Sequence, residues 1–316
     1  HNAIAVQSGS GAVDHKAVII TGNTFNNIGD RIIRFGDVGA DTQIIIKNNT
    51  ATHSGDSSGD VMKAQSLAEG VTYDICGNNW GEGKTVANGE LNDKSAVATI
   101  NGLQYTSLQE AIASATNGQT VTLLNDIKLT EKLTINKNLI IDGNNNKIYA
   151  TEDILDNSRK KDHLMLLEAD VTLKNVTLDS ANKAKGINTY GNDKSLQIYF
   201  ENVKMLNSAG NGLTAKGGTV TMKNVAISGS AWKQSVDISA SNGYNNGANL
   251  VVDRYCSFGD QGAVVFDNPG DETKVGTVIS SDPSRLIVSS ADETKDWANN
   301  GSSYTKRVFT LTKVST

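Results

Sequence analysis

Val171-Thr-Leu-Lys-Asn-Val-Thr-Leu178 recurs as Ile198-Tyr-Phe-Glu-Asn-Val-Lys-Met205 and again as Val220-Thr-Met-Lys-Asn-Val-Ala-Ile227. A looser copy is Leu250-Val-Val-Asp-Arg-Tyr-Cys-Ser257. The central positions 175, 202, 224 and 254 lie 27, 22 and 30 residues apart. A repeat of that length marks a stack of supersecondary units, each burying its apolar face against the next. Within a phrase, Val171, Leu173 and Val176 alternate with Thr172 and Lys174. That is the period of a half-buried strand. No helical pattern separates the phrases. The expected fold is therefore all-β, a right-handed parallel β-helix. The asparagines have a structural role in this reading. Asn tolerates the left-handed backbone needed at a bend. Asn175, Asn202 and Asn224, stacked at equivalent positions, should form a side-chain ladder.

Composition agrees with stacked strands. Asn is the commonest residue, ahead of the 30 Gly, and there are only 2 Pro. Proline would remove hydrogen bonds from the ladders. Aromatic residues are 5% of the chain, so the core must be Val, Ile and Leu.

Two stretches of rungs are expected. In the first, Ala17–Phe25, Gln43–Thr50 and Val71–Trp80 form the strands, and residues 1–90 read as the last rungs of one β-helix. The polar stretch from Glu82 to Lys94 is the linker candidate. Residues 95–316 read as a second β-helix opened by a short capping α-helix near 106–116. There Ser107 and Glu110 make a capping box, and Leu108, Ala111, Ile112 and Ala115 share a face. A helix in that place covers strand edges that would otherwise pair with another chain. The missing cap before His1 reads as the mark of a piece cut from a longer protein. One continuous β-helix with an insertion at 95–118 is the alternative. Lys306–Val314 reads as a closing strand.

The stretch Ala98-Thr-Ile-Asn-Gly-Leu-Gln-Tyr-Thr-Ser-Leu-Gln-Glu-Ala-Ile-Ala-Ser-Ala-Thr-Asn-Gly-Gln-Thr-Val-Thr-Leu-Leu124, continuing to Leu139-Ile-Ile-Asp-Gly143, resembles the start of pectate-lyase-like β-helix domains of bacterial cell-surface proteins. Asn79-Trp80-Gly81 is similar to the usual end of such a domain. The resemblance covers about 97–260. It implies a secreted or surface-attached bacterial protein, adhesin-like or carbohydrate-processing. Fold cannot choose between those two. Lyases of this fold often carry Arg-x-Pro-x-x-Arg, and polygalacturonase-type hydrolases carry Asn-Thr-Asp, Asp-Asp, Gly-His-Gly and Arg-Ile-Lys. None of these motifs is present.

The expected function is a non-catalytic surface module, adhesin-like, ligand-binding or a spacer. Its partners would be glycans or host surface proteins, and it would be a monomer within a tandem chain. The alternative is a polysaccharide lyase or glycoside hydrolase with its groove built by stacked loops. For that alternative Asp237, Asp260 and Asp267 are the catalytic candidates. The loops 180–194, 206–218 and 229–249 carry Tyr190, Trp232 and Tyr244, whose flat faces suit sugar rings. The mixed-charge loop Glu152–His163 gathers carboxylates, bases and a His, and reads as solvated. No metal site and no cofactor are expected. Ca²⁺ held by Phe266-Asp-Asn-Pro-Gly-Asp-Glu272 is the alternative to a plain acidic turn. Cys76 and Cys256 read as two free buried thiols. With a net charge of −5 and a pI near 5.4, no nucleic-acid surface is expected, and no stretch is long and apolar enough to span a membrane.

Overall fold

A computed structural model of the chain describes residues 2–7, 12, 14–52, 60–189, 196–231, 235–239, 247–259, 264–267, 276–297 and 302–314, with backbone alone at 264–267, 294–297 and 302–306. The described residues are mostly strand, with one α-helix, Leu108–Ser114. The chain divides into two compact units, His1–Ala111 and Ile112–Thr316.

In the first unit nearly all pairing is parallel. Ile4–Val6, Ile33–Val38, Asp60–Leu67 and Thr85–Val86 form one sheet in that order. Ala17–Thr21, Gln43–Lys47 and Thr72–Cys76 form a second. Thr24–Phe25 and Thr50–Ala51 form a third. Each strand pairs in parallel with one further along the chain: Ile4 faces Ile33, and Ile33 faces Met62. Alternation sends Ile44, Ile46 and Ile75 inward, where they are fully buried with Ile33, Phe35 and Met62. An antiparallel hairpin, Ala98–Ile100 with Leu103–Tyr105, turns at Asn101-Gly102, both with positive φ, 50° and 84°.

The second unit repeats the plan at greater length. Thr120–Leu123, Leu139–Asp142, Val171–Asp179, Gln197–Leu206, Thr219–Ser228, Asn249–Val252 and Thr277–Ser280 pair in parallel, in order. The repeated phrases fall in register as the sequence aligns them: Val171 faces Ile198, Ile198 faces Val220, and Val220 faces Leu250. Ile141, Leu173, Phe200, Met222 and Val252 form one buried inward row. A second sheet runs Leu133–Ile135, His163–Leu167, Lys185–Thr189, Leu213–Ala215, Val236–Asp237 and Val264–Asp267. It ends antiparallel, with Ser302–Lys313 paired to Val264–Asp267 and to Leu286–Trp297.

The asparagine ladder forms as the sequence requires. Asn175, Asn202 and Asn224 have φ of 52°, 54° and 53°. Asn224 Nδ2 donates to Asn202 Oδ1 at 2.9 Å, and Asn202 Nδ2 to Asn175 Oδ1 at 3.0 Å. The chain of bonds ends where Asn175 Nδ2 donates to Asp142 Oδ1 at 3.2 Å. The bends fall inside continuous strands, because pairing resumes on both sides of each Asn. The fourth phrase departs from the ladder. Val252 faces Met222, but Ser257 bridges Ala226, so one extra residue enters at Asp253–Cys256. The Asp253 carboxylate fills that rung, with Oδ1 accepting from Asn224 N at 3.1 Å and Tyr255 N at 3.0 Å.

Only half of the capping box forms. Glu110 N donates to Ser107 Oγ at 3.2 Å, while the Glu110 side chain binds Lys47 instead of its own helix start. Both cysteines are buried and unpaired, and burial pushes the Cys76 thiol up to about 11 and that of Cys256 to about 12.

Candidate functional site

In the second unit the outward side of the strand stack is built from the polar half of each phrase. Ile140, Thr172, Tyr199 and Thr221 stand in register on that face. They floor an open groove of about 360 Å³ whose walls include Gly118, Asn138, Asp170 and Gln197. Side chains tie the strand starts along its rim. Asn138 N donates to Asn117 Oδ1 at 3.3 Å, and Asp170 N to Asn138 Oδ1 at 3.1 Å. Gln197 N donates to Asp170 Oδ1 at 2.7 Å. These bonds fix the spacing of the rim and leave Asp170 exposed at the mouth. A second hollow, of about 270 Å³, follows the asparagine ladder and is lined by Asn145, Asn175, Thr177, Asn202, Lys204 and Asn224.

Between the two hollows runs a row of alternating charge. Asp142, Lys174, Glu201 and Lys223 stand opposite one another in successive strands. Lys174 Nζ lies 3.1 Å from Asp142 Oδ2, and Lys223 Nζ lies 2.6 Å from Glu201 Oε1. Burial opposes ionisation of Asp142, but hydrogen bonds from Asn144, Asn175 and Lys174 outweigh it and hold its pKa below the usual value. Opposite charges across strands support pairing, each modestly.

The predicted site residues fare unevenly. Tyr190, Trp232, Tyr244 and Asp260 lie outside the described residues. Asp267 lies at the end of the strand Val264–Asp267, so the proposed acidic turn of 266–272 begins with strand; its residues 268–272 lie outside the description. Asp237 stands opposite Val265, which puts Asp267 two residues further along the neighbouring strand. The Asp237 carboxylate is engaged with Lys216, a lysine only 2% exposed, at 3.2 Å. Lys216 Nζ also donates to Ser239 O at 2.7 Å.

The Glu152–His163 loop is held by bonds of its own. Asp153 pairs with Lys161, Asp162 lies 2.7 Å from Lys132 Nζ, and Asp156 Oδ1 accepts from the amides of Ser158 and Lys160. His163 is mostly enclosed beside Asp162, at 3.2 Å, with its side chain 14% exposed. Burial is the largest influence and drives its pKa down to about 4; the Asp162 contact opposes this.

Glycoside hydrolysis by two carboxylates needs the pair to face each other across about 5–9 Å. Among the described residues the larger groove is lined by one carboxylate, Asp170. What the groove offers is a flat phenol ring, threonine hydroxyls, amides and one acid. That set suits hydrogen bonding and stacking with a polyhydroxylated ligand. Tyr199, Asp170 and Gln197 were not singled out from the sequence, which pointed to loop aromatics. The available signal was Tyr199 at an outward position of a repeated phrase, where two other copies carry Thr and the looser copy carries Val251.

Among the described residues no group of three or more His, Cys, Asp or Glu is placed to hold a metal ion, and no helix is long and apolar enough to cross a membrane. Comparison with protein-family models, with curated proteins and with solved structures finds no match for the chain.

Proposed function

We propose that the chain is a non-catalytic, glycan-binding module displayed on a bacterial cell surface, built of right-handed parallel β-helix coils of the pectate-lyase-like kind. The parallel pairing of each strand with one a coil later, bent at left-handed asparagines, supports that architecture. The observation that carries the binding role is the groove over Ile140, Thr172, Tyr199 and Thr221, with Asp170 and Gln197 at its edge. Its single carboxylate, and a chain carrying a net charge of −5, favour neutral or cationic sugars over uronates. Asp142, Asp162, Asp237 and Glu201 each hold a lysine, which supports a binding role over acid–base turnover.

The test is a glycan array followed by calorimetric titration of the best ligand. Tyr199→Ala should weaken binding about tenfold, about 1.4 kcal/mol, and Asp170→Asn should weaken a cationic ligand more than a neutral one. Incubation with the same glycans should release no oligosaccharides. Tyr199→Ala binding as tightly as the parent would sink the groove. Release of products would replace the binding role with catalysis.

A further inference from the structure

In the first unit a lysine amine is enclosed by two carboxylates. Lys47 and Asp74 sit on neighbouring parallel strands, with Ile45 opposite Asp74 and Lys47 opposite Cys76. Alternation would turn Lys47 to the outside, yet its side chain is only 5% exposed. The segment from Gln104 to Glu110 covers it. Gln104 N donates to Asn48 Oδ1 at 2.8 Å, and the Tyr105 ring lies 5.8 Å from Lys47 Nζ. Lys47 Nζ is 2.5 Å from Asp74 Oδ2 and contacts Glu110 Oε1. The other Asp74 oxygen, Oδ1, accepts from the Thr106 hydroxyl at 2.6 Å.

Burying the lysine of such a cluster, with the Asp74 and Glu110 side chains left 21% and 34% exposed, is a costly way to gain stability, because desolvation offsets much of the attraction. It is also an arrangement that permits chemistry. From the amine held against the carboxyl, the second carboxylate beside them and the Thr106 donor, we propose that Lys47 and Asp74 join in an isopeptide bond, with Glu110 as the proton-transfer group. The ammonium gives one proton, through Glu110, to Asp74 Oδ2, leaving a neutral amine beside a neutral carboxyl. The Nζ lone pair attacks Asp74 Cγ. The oxygen that gains negative charge is Oδ1, which Thr106 already contacts. Glu110 takes the second proton from nitrogen and passes it to Oδ2. The Cγ–Oδ2 bond breaks, water leaves and the amide remains. No oxidant, metal or external reagent enters the balance, and Glu110 ends as it began. Holding the partners in contact replaces the activation that such a condensation lacks in water. Burial lowers the Lys47 pKa, but the bonds to Asp74 and Glu110 raise it further, so the amine rests charged. The bond therefore forms slowly and once per molecule. It would fasten one coil of the first unit to the next through side chains.

The experiment is intact mass spectrometry of the full chain, denatured, followed by tryptic mapping. The parent chain should be lighter than its sequence by one water. Trypsin should fail to cut after Lys47, and peptides 35–63 and 64–84 should appear joined through Lys47 and Asp74. Glu110→Gln, which keeps both reactants, and Asp74→Ala should each restore the full sequence mass. A parent chain at full mass with normal cleavage after Lys47 would overturn the proposal. So would a missing water that maps elsewhere, or a cross-link at undiminished yield in Glu110→Gln.

Discussion

His163 shows how one mostly enclosed side chain makes stability depend on pH. Its imidazole contacts Asp162 and feels Lys132 and Lys185, and burial brings its pKa from the ordinary 6.5 to about 4. The unfolded chain takes up this proton near pH 6.5, while the folded chain resists until near pH 4. Between those values the unfolded state binds more protons, so stability falls as pH falls. A difference of that size corresponds to on the order of 3 kcal/mol lost across the window. In His163→Asn, denaturant titrations at pH 7 and pH 4 should show a loss smaller by about that amount. Equal pH dependence in parent and variant would show that other groups carry the acid sensitivity. The sequence put His163 in a charged loop and read that loop as solvated. It missed the partial enclosure, because that is decided by strands distant in sequence.

At the scale of the strand, the ladder asparagine does two jobs that substitution can separate. Asn202 donates to Asn175, accepts from Asn224 and holds φ at 54°. Asn202→Ala removes the bonds and strains the backbone. Asn202→Gly removes the bonds and relieves the strain. Chemical denaturation should therefore rank Ala below Gly by about 1 kcal/mol, with both below the parent by about 1–2 kcal/mol more. A Gly variant no more stable than Ala would remove the backbone's share. This ladder was legible because three copies of one phrase place Asn at the same step. The first unit has a ladder that was harder to see. Asn23 Nδ2 donates to Asn49 Oδ1 at 3.0 Å, Asn49 Nδ2 to Asn78 Oδ1 at 2.8 Å, and Asn78 Nδ2 to Asp93 Oδ1 at 2.8 Å. Here the left-handed residue is the one before, Gly22, Asn48 or Gly77, so the pattern changes residue type between copies. The hairpin at Asn101-Gly102 was not among the expected elements, although Asn-Gly between alternating residues favours a two-residue turn with both φ positive. Lys47 and Glu110 carried no such signal. Periodicity assigns a residue to a face, but which distant segment covers that face follows from tertiary packing.

Across the whole molecule the repeat determines how contacts are spread along the chain. Parallel partners are separated by as few as 20 residues, Thr120 with Ile140, and as many as 32, Leu139 with Val171. The helix contributes a single short local element, Leu108–Ser114. Nearly every strand must therefore close a loop of twenty residues or more before its hydrogen bonds form. Loop closure costs entropy before burial returns it, so chains of this topology fold slowly. A strand also lacks partners for its buried side chains until its neighbours arrive: Phe200 stands between Leu173 and Met222 in the paired strands. Partly stacked species should accumulate, as expected for chains of this size. Refolding after dilution from denaturant, followed by far-UV circular dichroism, should take on the order of a second or longer and show more than one phase. Completion in a single sub-millisecond phase would contradict it, because that speed belongs to chains ruled by local contacts, and among the described residues local contacts are limited to tight turns, one short helix and the two hairpins Ala98–Tyr105 and Leu286–Lys313.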